Sequence, residues 1–89
     1  MDMFIEFINI ESGDCVFINK SKINSLTVSN ADCLAMFTVD GNVPRVIKLE
    51  FIDVDNLHNF VRGIKGEVYR IPKVASYESA KLDEIDKLI

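Results

Sequence analysis

Residues 45–66 read RVIKLEFIDVDNLHNFVRGIKG, and the apolar period changes in the middle of them. Up to Phe51 the residues alternate. Arg45, Ile47, Leu49 and Phe51 fall on one face, with Val46, Lys48 and Glu50 on the other. That is a strand with one face largely buried and one mostly wet. From Val54 the apolar residues recur at three- and four-residue steps. Val54, Leu57, Val61 and Ile64, joined by Phe60, make the broad stripe of an amphipathic helix. Asp53 precedes that stripe as an N-cap, its carboxylate placed to accept from orphan backbone N–H groups, and Asp55 complements the positive end of the helix dipole. Gly66 suits the residue just past the last turn. A strand running directly into a helix predicts an α+β chain if the residues upstream are also strands.

They are. MFIEFINI (3–10) is rich in Phe and Ile, ESGD supplies turn chemistry, and DCVFINK (14–20) resumes the pattern, so residues 3–20 read as a hairpin. Gly13 can take the positive φ of its turn, and Asp14 can hydrogen-bond locally. In KSKINSLTV the residues Ile23, Leu26 and Val28 anchor a bend into a short strand, and Asn30–Asp32 form a polar turn. CLAMFTV (33–39) is strand again. Asp40-Gly41 signals a second hairpin, and Pro44, which cannot donate to a ladder, belongs at the start or edge of the strand after it. Downstream, EVYRI (67–71) reads as a short strand stopped by Pro72. Ser76 caps a helix with Leu82, Ile85, Leu88 and Ile89 on one side. The expected architecture is α+β: an antiparallel sheet of four to five strands with one packed amphipathic helix and a second, C-terminal helix. As a single domain over 1–89 it comprises a β-meander over 1–51, a helix over 53–65, a strand over 67–71 and a helix over 77–88.

Composition narrows the function. Eighty-nine residues bury a modest core, roughly 60–65% of the surface of the unfolded chain. With no Trp, the six Phe are the large core pieces. The apolar runs are far too short to span a bilayer, and MDMFIEFINIE carries acids where a signal peptide would carry lysines, so a cytoplasmic protein without membrane partners is expected. Cys15 and Cys33, inside CVFI and CLAM, read as free, partly buried thiols. One histidine and no CxxC leave no metal site and imply no cofactor. His58 reads as a half-exposed helix histidine rather than a general base. No phosphate-loop motif is present, since Gly63 and Gly66 form a helix exit with no strand before them. The expectation is a protein that is not an enzyme.

Against a formal net charge of −4, FVRGIKGEVYRIPK (60–73) holds four of the ten basic residues. Each has a structural reason. Arg62 and Lys65 complement the negative end of a helix dipole, and Arg70 and Lys73 guard a strand edge. With Tyr69 the same four, Arg62, Lys65, Arg70 and Lys73, form the candidate contact surface. Two alternative readings stand beside a protein contact. One is a nucleic-acid patch with Tyr69 as a stacking platform, which the acidic whole-protein charge opposes. The other is an acidic surface of Glu6, Glu11 and Asp14 that mimics nucleic acid and blocks a host enzyme.

In GDCVFINKSKINSLTV (13–28), Gly13, Phe17, Ile18, Asn19, Ile23 and Leu26 precede a hairpin, a strand and an amphipathic helix. This pattern resembles small FlbD-like proteins of bacteria and phages over about residues 5–62. IKLEF with the helix after it also looks like the closing strand and helix of a pleckstrin-homology-like domain, with too few strands for a whole one. Neither resemblance implies catalysis. Both imply a small scaffold that binds another protein or itself. The expected function is accordingly that of a small protein-binding module, a phage or mobile-element accessory or inhibitor protein. MFIEFINI adds its own argument: Met3, Ile5 and Phe7 lie on one face and Phe4, Ile8 and Ile10 on the other. A strand apolar on both faces needs cover on both, and a homodimer is expected on that ground.

Overall fold

The computed structural model describes residues 3–82. Its strands are β1 (Phe4–Asn9), β2 (Cys15–Asn19), β3 (Ile23–Ser29), β4 (Leu34–Val39), β5 (Arg45–Phe51) and β6 (Lys73–Lys81), with helix α1 (Val54–Ile64) between the last two. A single 3-10 turn, Lys20–Lys22, joins β2 to β3 and is capped by the Asn19 side chain. The six strands make one mixed sheet in the order β2-β1-β6-β5-β4-β3. The fold is α+β.

Local chemistry explains the hairpins. Gly13 sits at φ 77 in the β1–β2 turn, a conformation open to it because it lacks a Cβ. β4 and β5 pair antiparallel without a break from Leu34↔Glu50 to Val39↔Arg45. Asp53 caps α1 by accepting from the Asn56 N–H at 2.9 Å. Gly66 ends it at φ 83.

Four sequence expectations need correction. The sheet has six strands rather than four to five, and it is mixed rather than antiparallel because β6 enters beside β1 in the parallel sense. Residues 73–77 onward do not open the helix expected over 77–88; through Lys81 they are strand β6, and residues 83–88 lie outside the described residues. β6 pairs with β5 from Arg45↔Lys81 to Phe51↔Val74, so a long cross-strand ladder overrides the helix-forming Glu, Ala and Lys of ASYESAK. Residues 67–71 are not a strand but a connecting segment, because the place beside β5 is taken by β6. Finally, residues 1–51 are not one meander. β2 and β3 are consecutive in sequence yet lie at opposite edges of the sheet, with β1 and β6 among the strands between them.

The molecule therefore has two parts. β3, β4, β5 and β6 form an antiparallel block. β1 and β2 form a hairpin wing joined to β6 by a short parallel seam, Ile8↔Lys73 and Asn9↔Val74. Helix α1 lies across both. Phe60, fully buried, sets its ring edge-on to Phe7 of the wing (6.1 Å between centroids), stacks on Phe37 (5.7 Å) and meets Phe51 (5.3 Å). Ile5, Phe7, Ile18, Ala35, Phe37, Ile47, Leu49, Phe51, Leu57 and Val74 complete this core, and no polar or charged residue is buried among the described residues. On the wing the opposite face is bare: Phe4 and Phe17 are more than half exposed.

Candidate functional site

Helix α1 turns its polar side outward, and the segment 67–72 runs back along it. Tyr69 fixes the approach. A Cβ on Gly63 would stand 2.7 Å from the Tyr69 ring and 2.9 Å from the Ile5 side chain, so only glycine allows helix, wing and segment to close at this point. The other end is held by Asn56. Its Oδ1 accepts from the Lys73 N–H at 2.8 Å, and its Nδ2 donates to Asp53 Oδ1 at 2.7 Å, tying the start of β6 to the helix N-terminus. These bonds from the Asn56 backbone and side chain hold the Asp53 carboxyl below the ordinary carboxylate range, with smaller help from Asp55 and the charge of Lys73.

Between helix and segment lies a groove of about 490 Å³ lined by Asp55, His58, Asn59, Arg62, Val68, Tyr69 and Arg70. A second hollow of about 350 Å³ continues it towards the helix N-terminus and is lined by Ile52, Asp53, Asp55, Asn56, Asn59, Arg70, Ile71 and Lys73. Asp55, Asn59 and Arg70 belong to both, so the two form one trough along α1. His58 Nε2 also lies 3.2 Å from Asn30 Oδ1, which ties the helix to the β3–β4 turn.

Of the expected contact residues, Arg62, Tyr69 and Arg70 come together in this trough, and Lys73 joins Arg70 at its far end. Lys65 does not line it; it is the C-cap of α1. There the helix carbonyls gain a further cation, because Lys20 Nζ donates to the Gly63 carbonyl at 3.3 Å. The trough also contains residues that sequence reasoning passed over. These are Asp55 and Asn59, which recur at helical spacing on one face with the expected Arg62, and that spacing was the available signal. Val68 and Ile71, read as strand residues, are instead exposed apolar groups of the segment, Val68 completely so.

The acidic residues lie elsewhere. Glu6 is on β1, opposite Phe17, and its Oε1 accepts from the Cys15 thiol at 2.8 Å. That hydrogen bond, with some desolvation and the Glu6 charge, pushes the Cys15 thiol up from its usual pKa and keeps it protonated. Glu11 and Asp14 belong to the β1–β2 turn, which is built on Asn9 and Ser12 side-chain bonds to the backbone N–H groups of Glu11 and Asp14. Both cysteines are free, as expected, but Cys15 is exposed rather than partly buried. Among the described residues no three His, Cys, Asp or Glu side chains converge as a metal cage would require, and no helix is long and apolar enough to cross a membrane.

Chemically the trough offers two guanidinium groups, an ammonium, two carboxylates, an imidazole and two amides beside bare aliphatic side chains. Asp53 and Asp55 share it with Arg62, Arg70 and Lys73, so its charge is mixed. A mixed surface with apolar side chains suits a folded or peptide partner better than a run of phosphates, which rewards uniform positive charge. No protein-family model matches the chain, and neither does any curated protein or solved structure.

Proposed function

We propose that this chain is a non-enzymatic protein-binding module whose contact surface is the trough between α1 and residues 67–72. One observation carries the reading: Val68, wholly exposed, stands beside Arg62 and Arg70, and Ile71, half exposed, beside Arg70, where a monomer gains nothing from them. Apolar groups flanked by arginines are the usual make-up of the centre of a protein contact. The partner presents a carboxylate to the arginines and an aliphatic side chain to Val68. The chain also pairs with a second copy, which is supported by the exposed Phe4 and Phe17 on the face of the wing away from α1.

A photoreactive residue placed at position 68 tests the main reading. The expected result is a cross-link to one host protein, lost in Arg62→Ala/Arg70→Ala and kept in Glu11→Ala. Cross-linking that survives the arginine changes and disappears with Glu11 would instead favour the acidic surface. Binding of a mixed oligonucleotide pool at low salt, lost on raising the salt, would favour nucleic acid.

A further inference from the structure

We infer that a second copy of this chain docks on the outer edge of β2, which no other strand pairs among the described residues, joining antiparallel with its β2 about a two-fold axis at Phe17. The inference rests on the self-association proposed above and says where the seam lies. Hydrogen bonds Lys20 N–H to Met3 carbonyl (2.7 Å) and Asn9 N–H to Asp14 carbonyl (2.9 Å) mark the β1-facing positions of this ladder. Since those positions alternate, Cys15, Phe17 and Asn19 turn their N–H and C=O groups outward. β2 pairs with β1 without a bulge and carries no charge and no proline, so its shortness, five residues, is the one usual guard it has.

The charges at its two ends select the partner. Asp14 precedes the strand and Lys20 follows it, the Lys20 ammonium giving one of its three protons to the Gly63 carbonyl at 3.3 Å and keeping two for a partner. Pairing centred on Phe17 sets Cys15 against Asn19 of the other copy, Val16 against Ile18, and Asp14 against Lys20, twice over by symmetry. Asp14 and Lys20 then project to the same face in a closely spaced pair, opposite in sign. Sliding the register by two residues in either direction sets Asp14 or Lys20 against an apolar residue. On the opposite face Phe17 meets Phe17 of the other copy, about 5.5 Å apart at Cα, with each Phe4 diagonal to it. An edge that is uncharged in the middle and oppositely charged at its ends is complementary to itself.

Sedimentation equilibrium and amide hydrogen exchange on the whole chain test this. The expected result is a dimer in the micromolar range, with the Cys15, Phe17 and Asn19 amides gaining protection as concentration rises. Phe17→Lys sets two ammonium groups face to face on the axis and should raise the dissociation constant at least tenfold, whereas Phe17→Leu should change it little. Because Phe17 is 59% exposed, the lysine is solvated in the monomer, and exchange on the unmodified chain gives a reading independent of any variant. A dimer that ignores Phe17→Lys and leaves those three amides unprotected overturns the seam while sparing self-association. A monomer at high micromolar concentration overturns both.

Discussion

β2 and β3 are the two edges of one sheet, and they are built differently. β3 breaks register between Asn24 and Thr27, with Ser25 held at φ 53, so its outer rim is kinked and cannot offer an even row of backbone groups. β2 is short but regular. The contrast extends to the regions behind the edges. The β3–β6 block is tied together by long antiparallel ladders, whereas the β1–β2 wing reaches β6 through two residue pairs and the packing of Phe7 on Tyr77 (5.6 Å between centroids), and leans on α1. Even the ends of α1 divide the work: its N-terminus is bonded to β6 through Asn56, and its C-terminus to the wing through Gly63, Ile5 and Lys20. A small sheet can thus be closed on one side and left receptive on the other by a single bulge.

Phe60→Ala is the strongest attempt to break this division. Phe60 touches both regions, and emptying its site should cost about 3–5 kcal/mol. That is a large share of the ~5–15 kcal/mol available to a domain. Urea unfolding should show block and wing lost together; a wing that melts alone while the block persists would mean that Phe60 does not unite them. Gly63→Ala comes next. Helix propensity favours alanine by about 1 kcal/mol, but its Cβ would collide with Tyr69 and Ile5, and overpacking of this kind costs about 1–3 kcal/mol. Hydrogen exchange should reveal the loss at Ile5 and Ile18 before it reaches Phe37 and Ile47. Equal loss in both regions, or a gain in stability, would contradict the wing's dependence on the helix C-terminus.

Asp53 probes the block side. Its carboxyl is held below the ordinary range in the folded protein, so its contribution is fully present above the unfolded carboxylate pKa. That contribution is lost as pH falls through the lower folded value. Melting temperatures measured from neutral pH downward should show this acid-side decline, and Asp53→Asn, which still caps a helix, should flatten it with little change at neutral pH. An identical decline in the variant would assign the pH dependence to other carboxylates. The smallest effect is expected from Ser25→Gly. Relief of a left-handed backbone is offset by the entropy of a freer unfolded chain, so stability should move by about 0.5 kcal/mol or less. A large gain would show that the β3 bulge is held under strain.

Most local features could be read from residue chemistry. The hairpins at Gly13 and after Asp40, the alternation of Ile47, Leu49 and Phe51, the Asp53 cap and the Gly66 exit each depend on a few neighbouring side chains and stand as expected. Part of the trough was legible for the same reason, since Arg62, Tyr69 and Arg70 flank one helix exit. Val68 and Ile71 lie in a connecting segment rather than a strand, and the sequence does not distinguish the two because apolar residues three apart fit a strand end as well as a loop folded against a helix. Asp55 and Asn59 joined the site only when segment 67–72 was laid alongside α1.

The sequence by itself determined the periods, the caps and the turns, because those answer to contacts a few residues apart. It also set the uncharged middle and charged ends of β2. Tertiary structure alone decided that ASYESAK becomes β6, slotted between β1 and β5, since its helix-forming residues acquire a complete ladder only from β5, some thirty positions away. The same insertion drove β2 and β3 to opposite edges and brought Tyr69 down onto Gly63. Pairing between distant segments is a property of the assembled sheet, and no local pattern in either partner carries it.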